Sequence, residues 1–302
     1  MKSRPLLFAL LMAGAALAPA ATFAGALQTT ALPDPVPIRI KAKGAVLAGE
    51  ILMPAKVSEG SVPGVVIVHG SGRLDRQASR EGAEELAAMG MAVLIYDKRG
   101  VGQSTGRYRD ITPVNSPAMI GELADDANRA LAALAAHRGV DKARLGLFGG
   151  SQAGWILPKA AADNPEVRFL VVLSGPAVSV GFMTHYGLLA GAAEKDVGEE
   201  ELGKRRSPFI IIHGYDPLET LRGLRTPTLW ILGERDRTVP LIETLRVLES
   251  LPAAESGLLT LVRLPDADHQ LALPDGSRVD YWGTVESWLR DLGILSRGRR
   301  TS

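Results

Sequence analysis

The stretch that decides the fold is Leu145-Gly-Leu-Phe-Gly-Gly-Ser-Gln-Ala-Gly154, an apolar run that ends in small residues around Ser151. The pattern predicts a buried strand before Ser151 and a helix, Gln152–Ala162, after it. A serine in so sharp a turn has positive φ, and the residues two positions before and after it must be small to avoid collisions. Gly149 and Ala153 meet that requirement. The turn would aim Oγ away from the sheet, beside a helix N-terminus that favours negative charge.

Strands and helices alternate on both sides of this turn. The predicted strands are Val36–Ile40, Val46–Met53, Pro63–Val68, Met91–Tyr96, Arg144–Phe148, Phe169–Leu173, Thr228–Leu232 and Leu258–Leu264. The predicted helices are Arg80–Met89, Glu122–His137, Gln152–Ala162, Leu241–Leu251 and Val279–Leu292. The first two strands are expected to form an antiparallel hairpin. The remainder predicts an α/β fold with a mostly parallel central sheet and helices on both faces.

A long interruption separates the strand that ends at Leu173 from the strand that begins at Thr228. Residues 175–226 contain glycine, mixed charge and short apolar patches. Since long inserted loops are more often functional than idle, we expect a cap over one edge of the sheet. The alternative is a surface excursion with no role in the site. With this insertion, residues 27–302 are interpreted as one domain, since one core can hold about 225 residues of this kind.

The N-terminus has the pattern of a secretory signal peptide. Lys2 and Arg4 precede an apolar run of about 13 residues, which small residues follow. An uncleaved anchor is the alternative, but a bilayer span needs roughly 20 apolar residues. We therefore interpret residues 1–26 as a signal peptide and expect a periplasmic or secreted protein that has no membrane contact after cleavage. The candidate cleavage positions follow Ala20, Ala24 and Ala26.

Composition excludes several classes of protein. The 302 residues carry a formal net charge of +1, so no large basic field is present to bind nucleic acid. There are no cysteines, which excludes thiolate nucleophiles, disulfides, Cys-ligated zinc and iron–sulfur clusters. No spacing of His, Asp and Glu indicates a metal site, so neither a metal nor another cofactor is expected.

A serine hydroxyl becomes a useful nucleophile only with a base in hydrogen-bond reach and a carboxylate that orients the base. His269 follows the predicted strand Leu258–Leu264, and Asp236 follows the predicted strand Thr228–Leu232. Ligands bind where the carboxyl ends of parallel strands meet at one edge of a sheet. Ser151, Asp236 and His269 are therefore all expected at this edge, and their residue types suit a nucleophile, an orienting acid and a base.

Other residues compete for these roles. Asp266 and Asp268 are close to His269 in sequence, although a neighbour in the same loop rarely aims at Nδ1. Glu234 lies in the same loop as the preferred acid. The non-catalytic alternatives are that His269 is a solvated loop histidine and that Ser151 only caps a helix.

These motifs resemble the α/β-hydrolase superfamily over roughly residues 40–293. Gly149–Ala153 resembles its nucleophile elbow, Gly-x-Ser-x-Gly, with Ala153 in place of the last glycine. The order Ser, Asp, His is the order this superfamily uses. Leu232–Pro240 resembles its acid loop, and Tyr96–Ser104 resembles its Asp-x-Arg-Gly-x-Gly-x-Ser stretch, which we interpret as scaffold.

The resemblance also implies an oxyanion hole, in which backbone N–H groups stabilise the negative charge that builds on the acyl oxygen. One expected donor is the N–H of Gln152, directly after the nucleophile. The loop that follows His69 resembles the family's His-Gly-x-Gly oxyanion loop and would supply the other. We prefer the N–H of Ser71 as this second donor, with the N–H groups of Gly70 and Gly72 as alternatives. The non-catalytic interpretation is a glycine turn without a role in the reaction.

Within the superfamily, the segments that begin at His69, Gly149 and Pro227 are similar to exported serine esterases and the acyl-aminopeptidase-like group. What this implies is a cofactor-free serine hydrolase that acts on a small-molecule acyl substrate through an acyl-enzyme. A carboxylic ester hydrolase is the first hypothesis, and a peptidase acting on short peptides or aminoacyl amides is the second. A third hypothesis, from another class, is a non-catalytic member that only binds a ligand. The oligomeric state stays open.

Overall fold

Residues 32–55, 57, 61–192 and 212–296 are described by a computed structural model of the chain. The expected signal peptide, residues 1–26, lies outside these residues, as does the central part of the expected cap, residues 193–211.

The described chain begins with the predicted hairpin. Strands β1 (Val36–Ala42) and β2 (Ala45–Leu52) pair antiparallel along their length. The tight turn between them includes Gly44, whose φ of +71° lies in the left-handed region that favours glycine. Because β2 also pairs antiparallel with a strand of the main sheet, the hairpin forms one edge of that sheet.

The sheet has eight strands in the order β1-β2-β4-β3-β5-β6-β7-β8. From β3 onward every neighbouring pair is parallel, so the predicted mostly parallel sheet is confirmed. The carboxyl ends of β5 to β8 therefore lie along one edge. The remaining strands are β3 (Val62–Val68), β4 (Ala92–Tyr96), β5 (Val140–Gly150), β6 (Phe169–Leu173), β7 (Thr228–Gly233) and β8 (Leu259–Leu264).

Helices connect the parallel strands, and none of those in the described ranges is long and apolar enough to cross a membrane. A short 3₁₀ turn at Arg76–Ser79 leads into the first of them. The helices are α1 (Arg80–Ala88), α2 (Ser116–Ala135), α3 (Ala153–Asp163), α4 (Val180–Ala192), α5 (Leu218–Arg222), α6 (Leu241–Glu249), α7 (Pro252–Glu255) and α8 (Trp282–Asp291).

Two apolar clusters lie on opposite faces of the sheet. Successive side chains of a strand point to opposite faces, so Val66 and Val68 join one cluster while Val65 and Ile67 join the other. Buried residues of α2, α3 and α6 complete the first cluster, and those of α1 and α8 complete the second. Helices on both faces explain why β3 is buried throughout and reads as an uninterrupted apolar run.

Two predicted helix starts differ from the structure. Helix α2 begins at Ser116 rather than Glu122, with Pro117 in its first turn. Proline is tolerated there because the first N–H groups of a helix have no intrahelical partner. Helix α8 begins at Trp282 rather than Val279, because the N–H of Val279 donates to the Leu271 carbonyl 3.0 Å away. Apolar spacing alone reveals neither effect.

The insertion between β6 and β7 is anchored to the rest of the fold at both of its described ends. The N–H of Val180, at the start of α4, donates to the Tyr215 carbonyl at 2.9 Å. The N–H of Tyr215 in turn donates to Ser116 Oγ at 2.8 Å. The indole N–H of Trp155 donates to the Val178 carbonyl at 2.8 Å. The described ends of the insertion therefore pack over α2 and α3.

Candidate active site

The turn from β5 into α3 holds Ser151 in the strained conformation that the sequence predicts. Its φ is +55°, and its N–H donates to the Leu173 carbonyl at 2.8 Å. A Cβ on Gly149 would lie 2.6 Å from both the Val68 carbonyl oxygen and the Ala153 Cβ. Real Cβ atoms do not approach other atoms so closely, so only glycine fits at position 149. Ala153, the departure from the usual motif, occupies the space that this missing side chain leaves.

Gly149→Ala is expected to destabilise the protein by about 1–3 kcal/mol, because the added methyl must displace a strand carbonyl and the first turn of α3. The variant is also expected to have lower catalytic activity, since the Val68 carbonyl and Ala153 both pack against the turn that positions Ser151. Thermal unfolding and activity of the purified variant measure the two effects. Gly121→Ala in α2 is the control, because a Cβ there meets no atom within 4 Å. Equal melting temperatures of the two variants would contradict the packing argument.

The structure brings Ser151, His269 and Asp236 together. His269 Nε2 lies 3.1 Å from Ser151 Oγ, and His269 Nδ1 lies 2.8 Å from Asp236 Oδ2. An ionised carboxylate can only accept, so the contact at Nδ1 assigns the ring proton to that nitrogen. Nε2 then carries a lone pair that faces the serine hydroxyl, which is the arrangement needed to remove its proton.

Asp236 is held by its own loop. The residue is 3% exposed, and its Oδ1 accepts hydrogen bonds from the N–H groups of Thr238 at 2.8 Å and Val239 at 2.9 Å. These two donors stabilise the negative charge and fix the carboxylate plane. Oδ2 is thereby left to face the His269 ring.

Two of the three competing acids, Asp268 and Glu234, have other partners. Asp268 Oδ1 accepts from the N–H groups of Gln270 and Ala272, both at 2.9 Å, and so shapes the histidine loop. Glu234 forms an ion pair with Arg263 at 2.8 Å.

Gly233, the glycine at the start of the acid loop, lets the acid and histidine loops come together. A Cβ on Gly233, at the end of β7, would lie 2.4 Å from the carbonyl oxygens of Ala267 and Asp268. The histidine loop can therefore lie against the end of β7 only because position 233 has no side chain.

The two expected oxyanion residues lie on the opposite side of Ser151 from His269. Ser71 and Gln152 line, together with Ser151, a cavity of about 230 Å³. Its other walls are mostly apolar and come from α3, α4, the loop between β6 and α4, and the loop before α2: Ile111, Trp155, Pro176, Val180, Met183 and Thr184. Trp155 thus belongs to the apolar core, with 5% of its surface exposed, and also forms part of a cavity wall.

A larger cavity of about 420 Å³ opens on the His269 side of Ser151. Its lining mixes polar and apolar residues and includes Phe148 and Trp282, whose rings stack with centroids 5.5 Å apart. At its rim Arg278 pairs with Glu81 at 2.9 Å. Ser151 therefore lies between two cavities of unequal size. In the part of the chain that the structure describes, no group of three or more His, Asp or Glu could hold a metal ion.

His69 is almost fully buried at the wall of the larger cavity. It is 3% exposed, and its ring meets the Tyr96 ring edge-on with centroids 4.8 Å apart. Burial, reinforced by the nearby charge of Lys98, lowers the pKa of His69 to about 3. The ring is therefore neutral at physiological pH and adds no charge beside the serine.

The stretch interpreted as scaffold holds the loops beneath the site. Asp97 accepts from the N–H groups of Arg76 at 2.9 Å and Gln103 at 2.7 Å. Arg99 forms a two-pronged pair with Asp126 of α2 at 2.7 and 2.6 Å. Lys98, between Asp97 and Arg99, was not singled out from the sequence, yet its ammonium donates to the Gly70 carbonyl in the expected oxyanion loop.

Comparison with known proteins gives this site its context. Residues 78–292, more than half of the chain, match the model of the prolyl oligopeptidase family. The chain belongs to this family. Its fold is that of the α/β hydrolases: the α/β hydrolase GrgF from Penicillium sp. superposes with a TM-score of 0.61 at 19% identity, over 88% of this chain and 99% of that one. The prolyl oligopeptidase match spans α1 to α8 and includes Ser151, Asp236 and His269.

Two curated relatives match most of the chain. An uncharacterized protein of Mycobacterium tuberculosis is 28% identical over 217 residues, which are 70% of this chain and 64% of that protein. The chain thus spans less than two thirds of that relative's length. The quorum-quenching protein AidA of Acinetobacter baumannii is 25% identical over 252 residues, 81% of this chain and 67% of that protein.

Proposed function

We propose that this serine hydrolase cleaves carboxylic esters through an acyl-enzyme, with Ser151 as nucleophile, His269 as general base and acid, and Asp236 as the group that orients His269. The observation that carries the proposal is the continuous hydrogen-bonded chain from Ser151 Oγ through His269 to Asp236. Membership of a hydrolase family supports it.

The reaction has two halves. Ser151 Oγ attacks the acyl carbon while His269 Nε2 takes the hydroxyl proton, and the acyl oxygen becomes an oxyanion that the N–H groups of Ser71 and Gln152 stabilise. His269 then gives its proton to the leaving alcohol as the bond to the acyl carbon breaks. In the second half a water molecule attacks the acyl-enzyme, with His269 again as base, and releases the acid and free Ser151.

The two cavities favour particular substrate parts. Because His269 must protonate the leaving group, the leaving group belongs on its side, in the larger cavity beside Phe148 and Trp282. The acyl group then belongs in the smaller cavity, beside Trp155 and Met183. No carboxylate is present among the described residues that line this smaller cavity, so a charged amino group would be desolvated there without a partner. This favours a short, uncharged acyl group.

A peptidase is the second candidate, because the chain belongs to the prolyl oligopeptidase family. For that activity the same cavity would favour substrates whose amino terminus is blocked. A non-catalytic binding protein is the third, since one fold can host unrelated functions. The serine–histidine–carboxylate chain argues against it.

Parallel substrate series test the proposal. The purified protein is assayed with p-nitrophenyl esters of increasing acyl length, and with p-nitroanilides of free and N-acetylated amino acids. We expect hydrolysis of the esters with highest kcat/KM for short acyl chains, and weak or no hydrolysis of the free aminoacyl anilides. If the N-acetylated anilides are hydrolysed faster than the esters, the protein is a peptidase rather than an esterase. If neither substrate series is hydrolysed and a fluorophosphonate does not label the protein, only the non-catalytic binding protein remains as a candidate.

We also propose that residues 1–26 direct export and that residues 175–226 cap the site. The apolar run behind Lys2 and Arg4 supports export, and the walls that Val180 and Met183 add to the smaller cavity support the cap. Cell fractionation, with the mass of the exported chain, tests the first part. Retention of the full-length chain in the cytoplasm would contradict it.

A further inference from the structure

Lys98 is a buried cation that the reaction as proposed above does not use. The residue is 4% exposed, and it follows Asp97 in the loop after β4. Its Nζ donates to the carbonyl oxygens of Gly70 at 2.7 Å and Gly72 at 3.1 Å, and to Gln152 Oε1 at 3.2 Å. One ammonium group therefore contacts both the loop after β3 and the residue after Ser151.

The contact with Gly70 bears on the direction of the Ser71 N–H. The Gly70 carbonyl and the Ser71 N–H belong to one planar trans peptide, in which they point in opposite directions. A hydrogen bond that fixes the carbonyl therefore also fixes where the N–H points. The second bond, to the Gly72 carbonyl, holds the Gly72–Arg73 peptide, two peptides further along the same loop.

The contact with Gln152 reaches the other expected donor of the oxyanion hole. The Gln152 side chain is tied to the ammonium, and its backbone N–H lies directly after Ser151. An oxyanion hole works because its donors are held in place before charge develops. A group that joins both donor segments can supply this.

We propose that Lys98 is a positioning residue whose ammonium holds the two halves of the oxyanion hole together, so that the N–H groups of Ser71 and Gln152 converge on the same oxygen. This inference rests on the proposed acyl-transfer function. Lys98 does not touch the reacting atoms, and its effect passes through the carbonyls of Gly70 and Gly72 and the side chain of Gln152.

The arrangement requires the protonated form of Lys98. An ammonium has three N–H donors and makes three hydrogen bonds here, whereas a neutral amine has only two donors. Burial lowers the pKa of Lys98 to about 8, with Asp110 opposing the shift. The other groups that face it are the neutral His69, the Tyr108 ring, whose centroid is 5.9 Å from Nζ, and Arg73 over that same ring. We therefore expect kcat to fall as the pH rises through about 8.

Stability should change in the opposite direction. The pKa of Lys98 in the folded protein, about 8, is below its ordinary value of 10.5. Between these values the unfolded chain binds more protons than the folded chain, so this group's contribution to the free energy of unfolding rises with pH. A loss of activity in this window without a lower melting temperature therefore indicates repositioning rather than unfolding.

The experiment compares Lys98→Met and Lys98→Arg with wild type on p-nitrophenyl butyrate between pH 6 and 10. Loss of a whole oxyanion donor costs about 100- to 1000-fold in kcat, so loosening both should lower kcat of Lys98→Met by about 10- to 100-fold, with KM nearly unchanged. The alkaline fall near pH 8 should disappear in this variant. Lys98→Arg should keep part of the rate and show no fall near pH 8, because a guanidinium stays charged.

Arg73→Met is the matched control, since Arg73 shares the Tyr108 ring but donates to the Gly100 carbonyl instead. It should keep the wild-type kcat and alkaline fall. A second measurement is inhibition by an aryl trifluoromethyl ketone, which forms an oxyanion on Ser151. Its affinity should fall in Lys98→Met by about the same factor as kcat/KM.

The outcomes separate the two proposals. Wild-type kcat in Lys98→Met, or an unchanged alkaline fall in that variant, would overturn the role of Lys98 and leave the proposed hydrolase intact. If Lys98→Met does not fold, the wild-type profile decides: a kcat that stays constant from pH 7 to 10 overturns the inference. If wild type neither hydrolyses esters or anilides nor reacts with a fluorophosphonate, the proposed function itself is wrong.

Discussion

Replacing Ser151 with alanine is expected to lower kcat for ester hydrolysis by about 10⁴- to 10⁶-fold. The variant keeps the oxyanion donors and both cavities, but it has no oxygen that can form the acyl-enzyme. His269 Nε2 then faces a methyl group instead of the hydroxyl that lies 3.1 Å away. Steady-state assays with an active-site titration measure the loss. Covalent labelling by a fluorophosphonate should disappear with it.

Ser174→Ala is a suitable control for this prediction. Ser174 follows the neighbouring strand, is 2% exposed and has a positive φ of 47°, as Ser151 has one of 55°. Its hydroxyl has no hydrogen-bond partner in the described part of the chain, so its loss removes no bond. We expect Ser174→Ala to be labelled by the probe and to fold. Probe labelling that persists in Ser151→Ala would show that another side chain is the nucleophile.

Asp236→Asn should lower kcat by about 10⁴-fold near neutral pH, with little effect on stability. The amide oxygen can still accept from the N–H groups of Thr238 and Val239, which now bond Oδ1 of the carboxylate. The amide NH₂ would then face His269 Nδ1, which must become the acceptor. The ring proton moves to Nε2, and the nitrogen beside Ser151 can no longer take a proton.

The control and the contrary outcome for Asp236→Asn both come from neighbouring acids. Glu234→Gln removes a carboxylate two positions earlier, but that carboxylate pairs with Arg263 and not with the histidine. It should keep the wild-type rate. A full loss of activity in Asp268→Asn, with activity retained in Asp236→Asn, would instead assign the orienting role to the histidine loop. Matched melting temperatures are needed in each case, since Asp268 also holds the N–H groups of Gln270 and Ala272.

The sequence was most informative where local geometry restricts the residue type. A serine at positive φ between a strand and a helix needs small neighbours, and Gly149 and Ala153 are visible in the sequence as such. Strand order along the chain also placed Asp236 and His269 after successive parallel strands, so their convergence at one edge was expected. These inferences succeed because they depend on contacts between residues close in sequence or on the regular alternation of elements.

Long-range contacts were much less accessible to prediction. The start of α8 depends on Leu271 pairing with Val279, and the position of the histidine loop depends on the missing side chain of Gly233. Nothing in the sequence indicated a role for Lys98, because a lysine in a loop is usually solvated. Its burial is visible only when the loops after β3, β4 and β5 are seen together.

By itself, the sequence determined the α/β class, the mostly parallel sheet, the turn that carries Ser151, and the order along the chain of Ser151, Asp236 and His269. Strand and helix patterns and the steric limits of a sharp turn are local properties, which the residue types reveal. Only the tertiary structure decided the hydrogen-bond distances from Ser151 through His269 to Asp236, the two unequal cavities, and the burial of Lys98. Each of these depends on side chains from distant segments, whose approach is set by packing across the whole sheet.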